Sequence, residues 1–189
     1  MSSIIDIVAS LTLRAAIVIA ILNMTIALQG KLGEKTAQAN MFSLITTVAR
    51  IISNDLNLTG NQVSSGYLTS GSSSTIIEVC YVDPSNNTKT WVKYFAGTIS
   101  ELSETVNPRD RKLYRGAGIV GAGLATPLLL AKGVDSLKFT YYNLAGAQTA
   151  YKDSIKSFSV YLVMATGDKV NGLYPSAQWT YRFFPSNIN

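Results

Sequence analysis

No histidine occurs in this 189-residue chain, and cysteine occurs once, at Cys80. Without those side chains the usual zinc sites, and the Ser-His and Cys-His catalytic pairs, cannot be assembled within one chain. A lone cysteine also excludes an internal disulfide, so extracellular life would have to be managed without covalent staples; in its alternating strand Cys80 reads as a small core hydrophobe. Charge is sparse too: 16 Lys and Arg stand against 11 Asp and Glu, a net charge of +5. Part of that basic excess lies in Arg109, Arg111, Lys112 and Arg115. Arginines around a loop and strand end read as a solvated face, and nucleic-acid binding is not the expectation. Proline is missing until Pro84, so nothing of that kind interrupts a helix in the first eighty residues.

What fills that proline-free stretch is first apolar and then amphipathic. From Ile4 to Leu28 the only polar side chains are Asp6, Ser10, Thr12, Arg14, Asn23 and Thr25. About 25 residues at ~1.5 Å each span ~37 Å, against a hydrocarbon core of roughly 30 Å, so the segment is long enough to cross a membrane. It lacks a basic stretch ahead of the apolar run and an A-x-A-like site at its close, so a cleavable secretory signal is not expected. Gly30 and Gly33 come next. Met41, Leu44, Ile45, Val48, Ile51 and Ile52 then recur at spacings of three and four, one apolar stripe on a polar helix. The spacing predicts one helix from about Ser3 to Ser53, stopped by Asn54, Asp55 and Asn57 with Gly60 beyond. Residues 1–55 are therefore expected as a helix whose second half lies on a sheet and whose first half protrudes.

Residues 56–189 have a different character. NQVSSGYLTSGSSST reads as a polar loop, and the runs Thr75–Val82 and Thr90–Gly97, separated by DPSNN, read as a hairpin. Further strands are expected at Arg111–Arg115, Ser136–Tyr142, Ser154–Thr166 and Ala177–Phe184. Leu137, Phe139 and Tyr141 alternate, as do Phe158, Val160, Leu162 and Met164, so one face of each strand should be buried. Short connections imply an antiparallel meander with one face covered by the amphipathic half of the helix, an α+β fold.

Several motifs lead elsewhere. Gly116-Ala-Gly-Ile-Val-Gly121 fits G-x-G-x-x-G, yet the strand before it is charged, Pro127 interrupts the segment after it, and no acid lies about twenty residues on. A flexible glycine loop is the expected structure. Glu101 and Glu104 could form a carboxylate pair for glycoside chemistry; exposed acids of a polar loop are the simpler reading. Asn57-Leu-Thr59 and Asn86-Asn-Thr88 match N-x-[ST], which makes Asn57 and Asn86 candidate glycosylation sites if the host modifies its surface proteins. The ten tyrosines could serve the core and subunit contacts, or a carbohydrate-binding surface.

A long N-terminal helix, apolar in its first half and attached to an antiparallel sheet domain, resembles the type IV pilin-like proteins, namely pilins and the pseudopilins of type II secretion. The run ISNDLNLTG looks like the end of the helix in larger minor pilins. LYRGAG, then LLLAKGVDSLKFTYYNLAGA, then SIKSFSVYLVMAT is similar to the large J-type minor pseudopilins, and Tyr181-Arg-Phe-Phe-Pro-Ser-Asn187 looks like that family's closing strand. The resemblance covers most of the chain. It departs from the family where the short basic leader ending in glycine would stand, which points to numbering that begins after processing or to a different export route. If Met1 is removed, Asp6 falls where pilins carry a near-terminal glutamate; Arg14 has no counterpart.

The resemblance implies a structural subunit. It would be held in the inner membrane as a single-pass protein and handed to pilus or secretion machinery. It would then be polymerised, with copies of itself or related pilins, into an extracellular or periplasmic filament. Asp6 and Arg14 are the expected assembly residues. An ionised side chain costs ~2.5–3.5 kcal/mol at mid-membrane and so generally meets a partner. The two lie about 12 Å apart along the axis and roughly 80° around it, too far to bond within one helix. The expected partner of Asp6 is the N-terminal amine or Arg14 of a staggered neighbour. The plainer alternatives are that Asp6 answers the helix dipole and that Arg14 snorkels to the membrane surface. No catalytic residue, metal or cofactor is expected. The competing reading is a single-pass anchored adhesin or binding module that never polymerises.

Overall fold

The computed structural model describes residues 2–63, 67–69, 71–123 and 125–185. Met1, residues 64–66 and 70 of the expected polar loop, and Ser186 and Asn187 of the closing string lie outside the described residues.

Helix α1 runs without a break over Ser2–Asn57, one turn past the stop expected from Asn54 and Asp55. The chain turns only at Gly60, whose φ of +77° a glycine adopts without steric penalty. The continuation buries Leu56 completely. That burial outweighs the weak helix propensity of the two asparagines and the aspartate.

Among the described residues seven strands follow, in two sheets rather than one. The first sheet has the order β1 (Ile76–Asp83), β2 (Thr88–Ala96), β3 (Leu113–Ile119) and β4 (Leu128–Ala131). The second has the order β5 (Val134–Tyr142), β6 (Ser157–Ala165) and β7 (Ser176–Phe183). All pairs are antiparallel. The division falls at Gly133, where φ is +87° and an added Cβ would lie 2.7 Å from the carbonyl oxygen of Ala165. Only glycine fits there, and it lets the chain leave β4 in one sheet and enter β5 in the other.

The expected DPSNN hairpin turn joins β1 and β2, with Asn87 at positive φ. Strand β4 was not legible. Its four residues, Leu-Leu-Leu-Ala, show no alternation and come directly after Pro127, and Leu128 stays exposed. The glycine motif also folds differently from expectation. Gly116 and Gly118 lie inside β3, paired with Lys93 and Trp91. Only the turn after Ile119 uses left-handed glycines, at Gly121 and Gly123.

The alternation did fix the core. Phe158, Val160, Leu162 and Met164 of β6 are fully buried, and Tyr141, Phe139 and Leu137 of β5 pair with the first three of them. Ile45, Val48, Ile52 and Leu56 of α1 join those residues and Ile77, Val79, Val92 and Leu113 of the first sheet in one cluster. The helix lies mainly along β7, with a lesser contact on β6. Cys80 is buried in β1.

Candidate functional site

The domain stops at the glycines of α1. The loop between β6 and β7 crosses the helix there: an added Cβ at Gly30 would lie 3.0 Å from the Asn171 side chain, and one at Gly33 would lie 3.9 Å from Val170. Ahead of that crossing every described side chain from Ser3 to Gln29 is exposed. Ile4, Leu11 and Ile26 each show about two thirds of their surface. Large aliphatic side chains on one continuous exposed face are what soluble monomers avoid. By length and composition this segment qualifies as a membrane span, a test that anchors and signal sequences near an N-terminus both pass.

The polar groups within Ile4–Leu28 divide into two kinds. Ser10 donates to the carbonyl of Ile7 at 3.0 Å, Thr12 to that of Val8 at 2.8 Å and Thr25 to that of Ile21 at 2.9 Å. Hydroxyls that bond back to the helix lower the penalty of entering an apolar medium. Asp6, Arg14 and Asn23 do not do this. Among the described residues none of the three has a hydrogen bond or ion pair within the chain. The structure keeps Asp6 and Arg14 apart, both exposed on one helix, as their spacing required. Asn23 was counted among the polar groups of the sequence but given no role. Unlike Thr12 and Thr25, its side chain makes no bond back to its own helix among the described residues.

The expected glycosylation residues fall on opposite kinds of ground. Asn57 is exposed at the end of α1, but its Thr59 is fully buried. Asn86 is exposed in the β1–β2 turn, where its side-chain oxygen accepts the Thr88 N–H at 3.0 Å. The glycoside pair has structural partners instead. Glu101 accepts the Tyr114 hydroxyl at 2.6 Å and the Thr98 N–H at 3.0 Å, while Glu104 pairs with Lys132 at 3.0 Å.

Of the arginines expected on a solvated face, two have acidic partners, and Arg109 stays 67% exposed. Arg109 meets Asp135 at 3.0 Å. Arg115 clamps Asp55 through two bonds, Nε to Oδ2 at 2.6 Å and Nη2 to Oδ1 at 3.1 Å, and the Tyr94 hydroxyl donates to the same carboxylate. This clamp ties the last turn of α1 to the first sheet. An acid in that position opposes the negative end of the helix dipole, and the guanidinium fork offsets it. Burial, reinforced by the Asp55 charge, pushes the Tyr94 hydroxyl well above its ordinary 10.0. Burial with the same charge raises Tyr81 to about 12. The Asp55 hydrogen bond raises Arg115 above its usual value.

These tyrosines give the fold an alkaline limit. A phenol with a raised folded pKa binds its proton more tightly in the native state, so its stabilising contribution is complete below about pH 10 and declines as pH rises toward 12. Unfolding midpoints of the full chain in neutral detergent should therefore hold to about pH 10 and fall from there to about 12. Tyr81→Phe should flatten the decline, and an unchanged slope would remove Tyr81 from the explanation.

The geometry thus defines an α+β chain with one exposed helix fit to span a membrane. No family model matches the sequence, and no curated protein matches it.

Proposed function

We propose that the chain is a structural subunit of a type IV pilus-like filament, stored in a membrane by its apolar helix and polymerised through it. The observation that carries this reading is the pattern of satisfied and unsatisfied polar groups on Ile4–Leu28. Hydroxyls that bond to their own backbone suit any apolar surroundings, but a buried acid and base call for opposite charges nearby. A lipid tail offers none; a neighbouring copy does. A copy displaced by eight residues, about 12 Å along the axis, brings its Arg14 level with Asp6.

The sequence resemblance to pilins and to large minor pseudopilins supports the same reading. Copies of this chain, or related pilins, are then the partners. The sheet domain faces outward, in the periplasm or outside the cell. Before assembly the chain is a single-pass protein of the inner membrane in contact with assembly machinery.

Lowering the detergent concentration around the purified full-length protein tests this directly. Electron micrographs should show filaments of uniform width whose formation depends on protein concentration. Dispersed monomers in lipid nanodiscs, with no filaments at any concentration or with extracted partner pilins, would establish the anchored binding module instead.

A further inference from the structure

The end of the sheet domain away from the apolar helix carries a second site, whose outward placement rests on the proposed membrane anchoring of α1. The β6–β7 loop touches α1 near residue 30, so β7 begins on the membrane side. Its eight residues then carry the chain about 25 Å outward at ~3.3 Å each. A cavity of about 270 Å³ lies at that outer end, with Asn143, Leu144, Lys156, Ser157, Arg182 and Phe184 in its lining.

Arg182, an exposed residue, is contacted there on several sides. Its guanidinium stacks on Tyr142 at 4.1 Å and on Phe184 at 5.4 Å. Its Nε and Nη2 donate to the hydroxyl of the buried Ser157 at 3.1 and 2.8 Å. That leaves the Nη1 side of the fork without a partner among the described residues. Lys156 adds a second cation, and neither forms an ion pair among the described residues. Among the described residues no carboxylate lies in the lining. Two cations lining one cavity, with no acid among its described lining residues, repel each other, and the repulsion is relieved when an oxyanion is bound. An arginine fixed by aromatic stacking loses little freedom on taking one.

The rim is apolar: Leu144 is 86% and Phe184 72% exposed. The Phe184 ring lies against Arg182 and keeps exposed surface for a ligand's C–H groups. A bare inorganic anion would leave that rim in water. The site also sits too far out for headgroups of the chain's own membrane.

We propose that this cavity binds a carboxylated sugar, its carboxylate on Arg182 and Lys156 and the apolar face of its ring on Phe184. Asn143, whose side-chain oxygen accepts the Ala147 N–H at 3.0 Å, keeps its amide N–H groups for a ring hydroxyl. Cavity size limits the ligand to one residue, such as the end of a longer anionic glycan.

Calorimetric or NMR titration of the full chain, in a polyoxyethylene detergent that contains no sugar, tests the assignment with three probes: glucuronate, glucose and inorganic phosphate. Glucuronate should bind at least tenfold more tightly than either of the others. Lys156→Gln and Arg182→Gln should each weaken it at least tenfold, Phe184→Ala should weaken it severalfold, and Lys138→Gln should leave it unchanged. Because Arg182 also holds Ser157, Lys156→Gln provides the variant that leaves the fold in place. Phosphate binding as tight as glucuronate, glucose binding as tight as glucuronate, or equal affinity in the Lys156 and Lys138 variants would each overturn the proposal.

Discussion

Reversing one charge, as Asp6→Arg or Arg14→Asp, is expected to raise the critical concentration for filament formation roughly a hundredfold while leaving synthesis and membrane insertion intact. The size follows from the ~2.5–3.5 kcal/mol that an unpaired charge costs in an apolar interior, at about 1.4 kcal/mol per factor of ten. Insertion survives because a single added charge on a helix with so many exposed aliphatic side chains does not reverse its preference for lipid, and because long basic side chains reach the interface.

The decisive variant combines the two, Asp6→Arg with Arg14→Asp. Every copy then presents the opposite sign at each level, and a neighbour displaced by the same eight residues restores the pairing. Assembly should return to within a few fold of the original. Sedimentation and electron microscopy of the three variants read the outcome. A double variant that inserts normally and still fails to assemble would show that Asp6 and Arg14 do not meet.

The second large effect is expected at the Asp55 clamp. Asp55→Ala leaves the Arg115 guanidinium, only 27% exposed, and the Tyr94 hydroxyl without their shared acceptor. Breaking a buried pair from one side costs about 3–5 kcal/mol. The remaining exposure of Arg115 admits water, so about 3 kcal/mol is the expected loss in denaturant unfolding of the full chain. Replacing both partners, as Asp55→Leu with Arg115→Leu, should recover most of it because no unpaired charge remains. A double variant no more stable than Asp55→Ala would mean that the clamp positions the helix end through its geometry, beyond satisfying its own charges.

The clamp also marks where sequence reading lost the structure. Asp55 and Arg115 are sixty residues apart, and nothing local distinguishes an arginine that pairs across the fold from one that faces water. The strand cores were legible because alternation and burial have the same period, as Phe158 to Met164 show. The two-sheet division was not, because it depends on one glycine, Gly133, approaching the Ala165 carbonyl. At the N-terminus Asp6 and Arg14 were singled out because their charges stand out against aliphatic neighbours. Asn23 was given no role, and it differs from Thr12 and Thr25 in making no side-chain bond back to its own helix among the described residues. The outer cavity was illegible, since Lys156, just ahead of β6, and Arg182 of β7 line one cavity only because those two strands pair.

Helix α1 has no hinge between its greasy and its domain-bearing halves. In a bilayer the ~37 Å apolar segment exceeds a ~30 Å hydrocarbon layer, and leaning is one way to take up the excess. A continuous rod transmits that lean to whatever it carries. The sheets would ride off vertical while stored in lipid and swing toward the axis as neighbours draw the rod upright, so the domain's outward bearing would itself report whether a subunit has left the membrane.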